Sequence, residues 1–221
     1  MIPASFVEQA RDNMVEQQIR TWEVLDQDVL DLLYLVPRED FVPPRLRALA
    51  FSDMELPIGE GEKMWQPKME ARVLQELALR KSDKVLEVGS GSGYLSALLS
   101  HRAGRVHSVE LKPALLAMAR ANLSAHGADN VSLHAGDAAR GWPAEAPYDA
   151  IVLTGSTPVL PQAFLGMLAP GGRLFAVVGE APAMTARLVT CTGPGAHASV
   201  DLFETVIAPL ANAEQPRRFR F

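Results

Sequence analysis

From residue 68 to residue 180 the chain alternates short apolar runs with helical stretches. Lys84 to Val88, Arg105 to Val109, Val131 to Ala135, Tyr148 to Thr154 and Arg173 to Gly179 have the β-branched, apolar character of strands buried in a parallel sheet. Lys68 to Leu79 reads as a helix leading into the first of these, and Tyr94 to Leu99 as the opening of an apolar helix after it. Upstream, residues 3 to 20 place Phe6, Val7, Ala10, Met14 and Ile19 roughly on one helical face. Asp26 to Leu35 reads as a second helix, capped by Asp26 and closed before Pro37. VPREDFVPPRL and LPIGEGEKMWQP follow, rich in proline and turn formers, and suit a lid across the carboxyl ends of the strands. Leu168 to Gly172 (LAPGG) reads as a helix end with a glycine break. Glycine and proline around 181 to 195 suggest a turn or excursion, while Thr185 to Cys191 and Val200 to Ala208 read as late strands. The pattern predicts an α/β fold: a Rossmann-like, doubly wound, mostly parallel sheet of about seven strands, with helices on both faces and an N-terminal helical addition. One domain is expected over residues 1–221, with a helical lid region (1–80), a cofactor-binding core (81–180) and C-terminal strands and tail (181–221).

Composition narrows the class. A hydrophobic share of 48% and a charged share of 21% are those of an ordinary globule. The net charge of −5 suggests no nucleic-acid partner, and the only basic cluster, PRRFRF at the C-terminus, reads more simply as a frayed tail. No run reaches the ~20 apolar residues of a membrane span. The N-terminus lacks the basic and apolar regions of a secretory leader, so a cytoplasmic protein is expected. Cys191, the single cysteine, excludes an internal disulfide and has no His/Cys cluster around it, so no metal is expected. The expected state is a monomer or weak homodimer.

The candidate chemistry begins at KVLEVGSGSGYLSALLS (84–100), where Gly89, Gly91 and Gly93 lie between a strand and a helix. With no Cβ in the way, such a turn brings main chain close to a nucleotide-like ligand. A dinucleotide-binding G-x-G-x-x-G would need glycine at Tyr94, which disfavours a NAD-dependent oxidoreductase. The E-x-G-x-G-x-G beginning at Glu87 resembles that of S-adenosylmethionine-dependent methyltransferases instead. Glu110, at the tip of the second strand, can accept both ribose hydroxyls; the alternative is a solvated glutamate capping the helix near Pro113. Asp137, after the third strand, can accept an adenine amino group while the amide of Ala138 donates to a ring nitrogen. The expected cofactor set is Met64, Glu87, Gly89, Ser90, Gly91, Ser92, Gly93, Glu110, Leu111, Asp137, Ala138 and Thr154. No catalytic triad is visible, and the five histidines are scattered.

Seven segments together resemble the protein-L-isoaspartate O-methyltransferase family: MVEQQIR (14–20), VPREDFVP (36–43), LPIGEGEKMWQP (56–67), KVLEVGSGSGYLSALL (84–99), GDAARGWPAEAPYDAIVLT (136–154), LAPGGRL (168–174) and IAPL (207–210). The resemblance implies methyl transfer from S-adenosylmethionine to the free carboxylate of isoaspartyl residues in damaged proteins or peptides, with S-adenosylhomocysteine as product. The methyl ester then closes to a succinimide, and hydrolysis returns some normal aspartate. A carboxylate with pKa near ~4 is already ionised at neutral pH, so no general base is required.

Three departures bear on the acceptor. The family's Thr-Ile-Ser before the QP pair, whose serine lies beside the transfer site, is here Lys63, Met64 and Trp65. Trp65, in the serine's position, either packs in the lid or reshapes the pocket for a different acceptor, planar or cationic. Lys63 either pairs with a substrate carboxylate or is solvated. Gln66 and Ser156 complete the candidate substrate residues, Ser156 standing in a Thr154-Gly155-Ser156 run where relatives often have Thr-Ala-Ala. An Arg-Phe-Val run common in relatives is replaced by Val206-Ile207-Ala208. The alternatives are therefore a small-molecule acceptor, or a protein that binds the cofactor without turnover.

Overall fold

Alternate residues of one central strand belong to opposite cores. In β3 (Lys84–Val88), Val85 joins the apolar cluster on one face of the sheet and Leu86 the cluster on the other. Val152 and Ile151 of β6 (Tyr148–Leu153) divide in the same way, as do Phe175 and Leu174 of β7 (Leu168–Glu180). A strand apolar on both faces is stable only between two covering layers. In the computed structural model, which describes residues 4–216, those layers are unequal. The first face is covered by α1 (Ala4–Asn13), α2 (Gln27–Leu35), α3 (Pro67–Leu77), α4 (Tyr94–Arg102) and α5 (Pro113–Ala125). The second is covered by the short α6 (Gln162–Leu165) and the turn carrying Ala138 and Trp142.

With β4 (Arg105–Glu110), β5 (Val131–Ala135), β8 (Ala183–Gly193) and β9 (Ala196–Glu204), the sheet has seven strands in the order β5-β4-β3-β6-β7-β8-β9. Pairing is parallel from β5 to β7 and antiparallel at β7–β8 and β8–β9. The chain leaves β3 toward β4 on one side and returns as β6 on the other. The strand order therefore reverses beside β3, where a crevice opens at the carboxyl ends. A separate hairpin, β1 (Leu56–Gly59) with β2 (Glu62–Met64), lies over that crevice.

The predicted elements recur with local differences. Asp26 caps α2, its carboxylate accepting from the amides of Asp28 (2.9 Å) and Val29 (3.3 Å). The first predicted helix changes character at Met14, where a π-helical stretch runs to Ile19 and keeps Met14, Val15 and Ile19 buried. LAPGG is not a helix end: Leu168 to Gly172 begin β7, with Leu168 paired to Tyr148 across a register irregularity. Glycine suits Gly172 because a side chain there would meet the Tyr148 carbonyl at 2.9 Å. The expected excursion after Gly179 is a tight turn, Glu180 pairing with Ala183, and β8 begins at once. The last strand starts at Ala196 rather than Val200 and ends at Glu204, so Thr205 to Ala208 lie outside it. Of the basic tail, Arg217 to Phe221 lie outside the described residues.

One buried cation fixes the lid region to α3. Arg38 is 1% exposed; its Nε donates to the Ala50 carbonyl (2.9 Å), and its two terminal nitrogens donate to the Glu70 carboxylate and the Trp65 carbonyl. Its guanidinium also faces the ring of Tyr94, 5.2 Å from the centroid. Removing one partner of such a pair leaves an uncompensated charge in the core. Glu70→Ala is therefore expected to lower the unfolding free energy in urea by about 3–5 kcal/mol, far beyond an exposed Glu16→Ala.

Candidate active site

The turn between β3 and α4 can be built only from glycine at its ends. Gly89 has φ +98 and Gly93 φ +85. A Cβ on Gly89 would stand 2.2 Å from Thr154 Oγ1, and one on Gly93 3.2 Å from the main chain of Ala119. Thr154 holds the turn from below: its hydroxyl lies 2.7 Å from the Val88 carbonyl and 2.9 Å from that of Gly89. The Gly89 amide bonds the Val109 carbonyl at 2.8 Å, joining the turn to β4.

Glu110, at the end of β4, faces this turn. One of its carboxylate oxygens accepts from the Gly91 amide and the other from the Lys112 amide, both at 2.9 Å. The N-cap of α5 is Lys112, so Glu110 does not cap that helix. Asp137, after β5, accepts from the Ala139 amide (3.0 Å) and from the Asn212 side-chain amide (2.8 Å). Both acids line one cavity of about 1020 Å³ of open volume at the carboxyl ends of the strands. Ile58 of the hairpin stands over Gly91, and Lys112 Nζ donates to the Glu60 carbonyl (2.6 Å) and to the Glu62 carboxylate, tethering the hairpin across the opening.

Glu87 supplies the third carboxyl, and its surroundings are the most unusual. It is fully buried. One oxygen accepts from the hydroxyls of Ser108 (2.5 Å) and Ser96; the other has no partner, in a residue that lines the cavity. Burial pushes its pKa up to about 7; the two serine hydrogen bonds pull it down and the nearby Glu110 adds to the rise. Ser90 Oγ lies 2.6 Å from Ser108 Oγ, so a chain of hydroxyls links Glu87 to the glycine turn.

The cavity brings together most of the residues expected from the sequence. Met64, Glu87, Gly89, Ser90, Gly91 and Ser92 line it, as do Glu110, Leu111, Asp137, Ala138 and Thr154. Gly93 shapes the turn without lining the cavity. The substrate candidates separate. Trp65 is 7% exposed, packs edge-on to Phe175 with ring centroids 6.5 Å apart, and forms a wall of this cavity. It also walls a second, adjoining hollow, where Gln66 lies with Trp22, Lys68, Met69 and Ile207. Glu55 is common to both cavities and pairs with Lys63 at 3.2 Å. Lys63 thus lines the rim with its ammonium half in water. Ser156 is outside both cavities: it is 1% exposed, and its hydroxyl donates to the Ile207 carbonyl at 3.3 Å.

Pattern reading passed over Ile58, Lys112 and the segment Pro209–Ala211, which also line the cavity. The hairpin residues signalled only a turn-rich stretch, and the C-terminal segment carries no charge or glycine motif. No histidine lines either cavity, and no group of three metal-ligating side chains occurs among the described residues.

Comparison with known proteins adds the following. Residues 9–215 match the family described as protein-L-isoaspartate(D-aspartate) O-methyltransferase (PCMT). A protein-L-isoaspartate O-methyltransferase of Methanoculleus marisnigri is 45% identical over 169 residues, 76% of this chain and 77% of the relative. A protein-L-isoaspartate O-methyltransferase 1 of Anaeromyxobacter sp. is 43% identical over 193 residues, 86% of this chain and 91% of the relative. Among solved structures, a protein-L-isoaspartate O-methyltransferase superposes with TM-score 0.78 at 24% identity, covering 91% of this chain and 66% of its own. A Plasmodium falciparum beta-aspartate methyltransferase in complex with S-adenosyl-L-homocysteine gives TM-score 0.79 at 21% identity, covering 91% of this chain and 98% of its own. At those identities the two structures speak to the fold.

The Glu87 environment has a consequence for stability. Its pKa is about 7 in the fold against an ordinary 4.5, so its contribution is complete below pH 4.5 and is lost as pH rises through 7. Between pH 5 and pH 8 the ligand-free protein should lose on the order of 3 kcal/mol more unfolding free energy than Glu87→Gln does, measured in urea.

Proposed function

The chain belongs to the protein-L-isoaspartate(D-aspartate) O-methyltransferase family, and on that premise we propose that it transfers a methyl group from S-adenosylmethionine to the free carboxylate of isoaspartyl residues in damaged proteins. The observation that carries the reading is that Glu110, Asp137 and the glycine main chain at Gly89 and Gly91 line one cavity.

The residues present fit the donor. Glu110 retains lone pairs for the ribose hydroxyls beyond the two amides it accepts from. Asp137 and the Ala138 amide suit the polar edge of adenine. The unpartnered oxygen of Glu87 is a buried acceptor lacking a donor, and an ammonium group of the donor's amino-acid end would supply one. Met64 and Leu111 add apolar contact at the cavity wall. S-adenosylmethionine supplies a methyl group already activated on a sulfonium. The chain's own contribution is to hold, align and dry the reactants, worth about 7–11 kcal/mol in well-oriented cases. The accepting carboxylate is ionised at neutral pH, in keeping with cavities that hold no histidine.

On the acceptor side, the second cavity adjoins the first along Trp65 and Glu55. By the sequence resemblance Trp65 stands in the family serine's position, and its indole between the two cavities supports a second reading in which the acceptor is another molecule, small enough to lie beside it. Lys63 neutralises Glu55 at this junction and so lowers the cost of bringing a carboxylate past it. The working environment we infer is a reducing, aqueous one, in keeping with a buried unpaired Cys191 and with the absence, among the described residues, of any helix long and apolar enough to cross a membrane.

Incubation with labelled S-adenosylmethionine and an isoaspartyl peptide, beside its normal aspartyl twin, should yield base-labile methyl ester on the first alone. No ester, with S-adenosylhomocysteine still bound, would pass the acceptor role to another molecule or leave a protein that binds without turnover. Restoring the hydroxyl with Trp65→Ser should raise isoaspartyl kcat/KM if the indole restricts that acceptor. Asp137→Ala should weaken S-adenosylhomocysteine by about 1–3 kcal/mol in calorimetry.

A further inference from the structure

Asp137 is exposed, and a lone aspartate at a cavity mouth is a poor reader of a flat base. Its bond to the Ala139 amide, two residues on, fixes one oxygen and leaves the other free to swing. The second oxygen is held from 75 residues away by Asn212 Nδ2 at 2.8 Å. Asn212 is itself fixed. It has φ +62, a left-handed conformation that asparagine tolerates better than most residues. Its carbonyl accepts from Arg140 Nε at 3.4 Å, so the turn 137–140 and the C-terminal segment grip each other at two points. On either side of it, the Leu210 amide bonds the Ser156 carbonyl at 2.9 Å, and Ala213 is 5% exposed with its amide on the Leu210 carbonyl at 3.2 Å. Leu210 lies against Gly155 so closely that a side chain there would meet the Leu210 amide nitrogen at 2.8 Å.

We propose that Asn212 is a positioning residue for base recognition, orienting the Asp137 carboxylate so that the site selects an exocyclic amino group over a carbonyl at the same ring position. The inference rests on the donor-binding reading above. A carboxylate offers about four lone-pair directions. Two are taken by Ala139 and Asn212, and the remaining pair is thereby aimed rather than free. An adenine amino group donates to such an oxygen; the hypoxanthine carbonyl presents lone pairs to it and is rejected. The selectivity of the base end thus depends on a residue beyond the last strand, outside the glycine-turn core.

The test is calorimetric and needs no turnover. S-adenosylhomocysteine and S-inosylhomocysteine are titrated into the full chain and into Asn212→Gly, which keeps the left-handed backbone and deletes only the amide; thermal unfolding confirms that the variant is folded. The wild type should prefer the adenosyl compound by about tenfold or more, as for one hydrogen bond to a charged acceptor. In Asn212→Gly that preference should shrink several-fold, chiefly through weaker adenosyl binding, with inosyl affinity within about twofold of wild type. A preference ratio equal in the two proteins, whether or not both affinities fall together, overturns the positioning role and leaves the donor site intact. Wild-type protein that binds neither compound overturns the donor reading itself, and this inference with it.

Discussion

A five-residue turn with no side chain at either end is the constraint on which the molecule is built. Thr154 below Gly89 and Ala119 behind Gly93 leave no space for a Cβ. The Val109 carbonyl, the Glu110 carboxylate and, from above, Ile58 all approach its main chain closely. The reversal of strand order beside β3 opens the space next to it. The sheet supplies the position, and the glycines supply the proximity.

Charge in this region is arranged in two different ways. Glu110 and Asp137 each receive two N–H donors, the first buried and the second exposed at the cavity. Glu87 lies wholly inside with one oxygen unanswered, and burial raises its pKa to about 7. Arg38, paired with Glu70 of α3, is the opposite case: three acceptors surround it, and its role is to fix the carbonyl of Trp65 and with it the wall between the two cavities.

Much of this was legible in the sequence because it is local. A β-branched run, a glycine turn and an acid at the next strand tip are all visible within a few residues of one another. The misread segments were those whose state is set by distant partners. LAPGG has the composition of a helix terminus but pairs with Tyr148 as the start of a long strand. Ser156 looked like a free hydroxyl, but the isolated bridge between Ser156 and Pro209 turns it toward the Ile207 carbonyl. The Arg38–Glu70 pair joins two unremarkable surface-type residues 32 positions apart, and no periodicity marks them as buried. Asn212 was invisible for the same reason: only the tertiary fold brings it to Asp137.

The hairpin over Gly91 is held by charge as well as by packing. Lys112 Nζ bridges the Glu62 carboxylate and the Glu60 carbonyl, and so holds Ile58 above the glycine turn. Both ends of that tether are partly in solvent, so dissolved ions weaken the charge pair without altering the floor of the cavity. Floor and cover therefore answer to different conditions: the main-chain contacts of the glycine turn are indifferent to salt, and the lysine at the strand-to-helix corner is not.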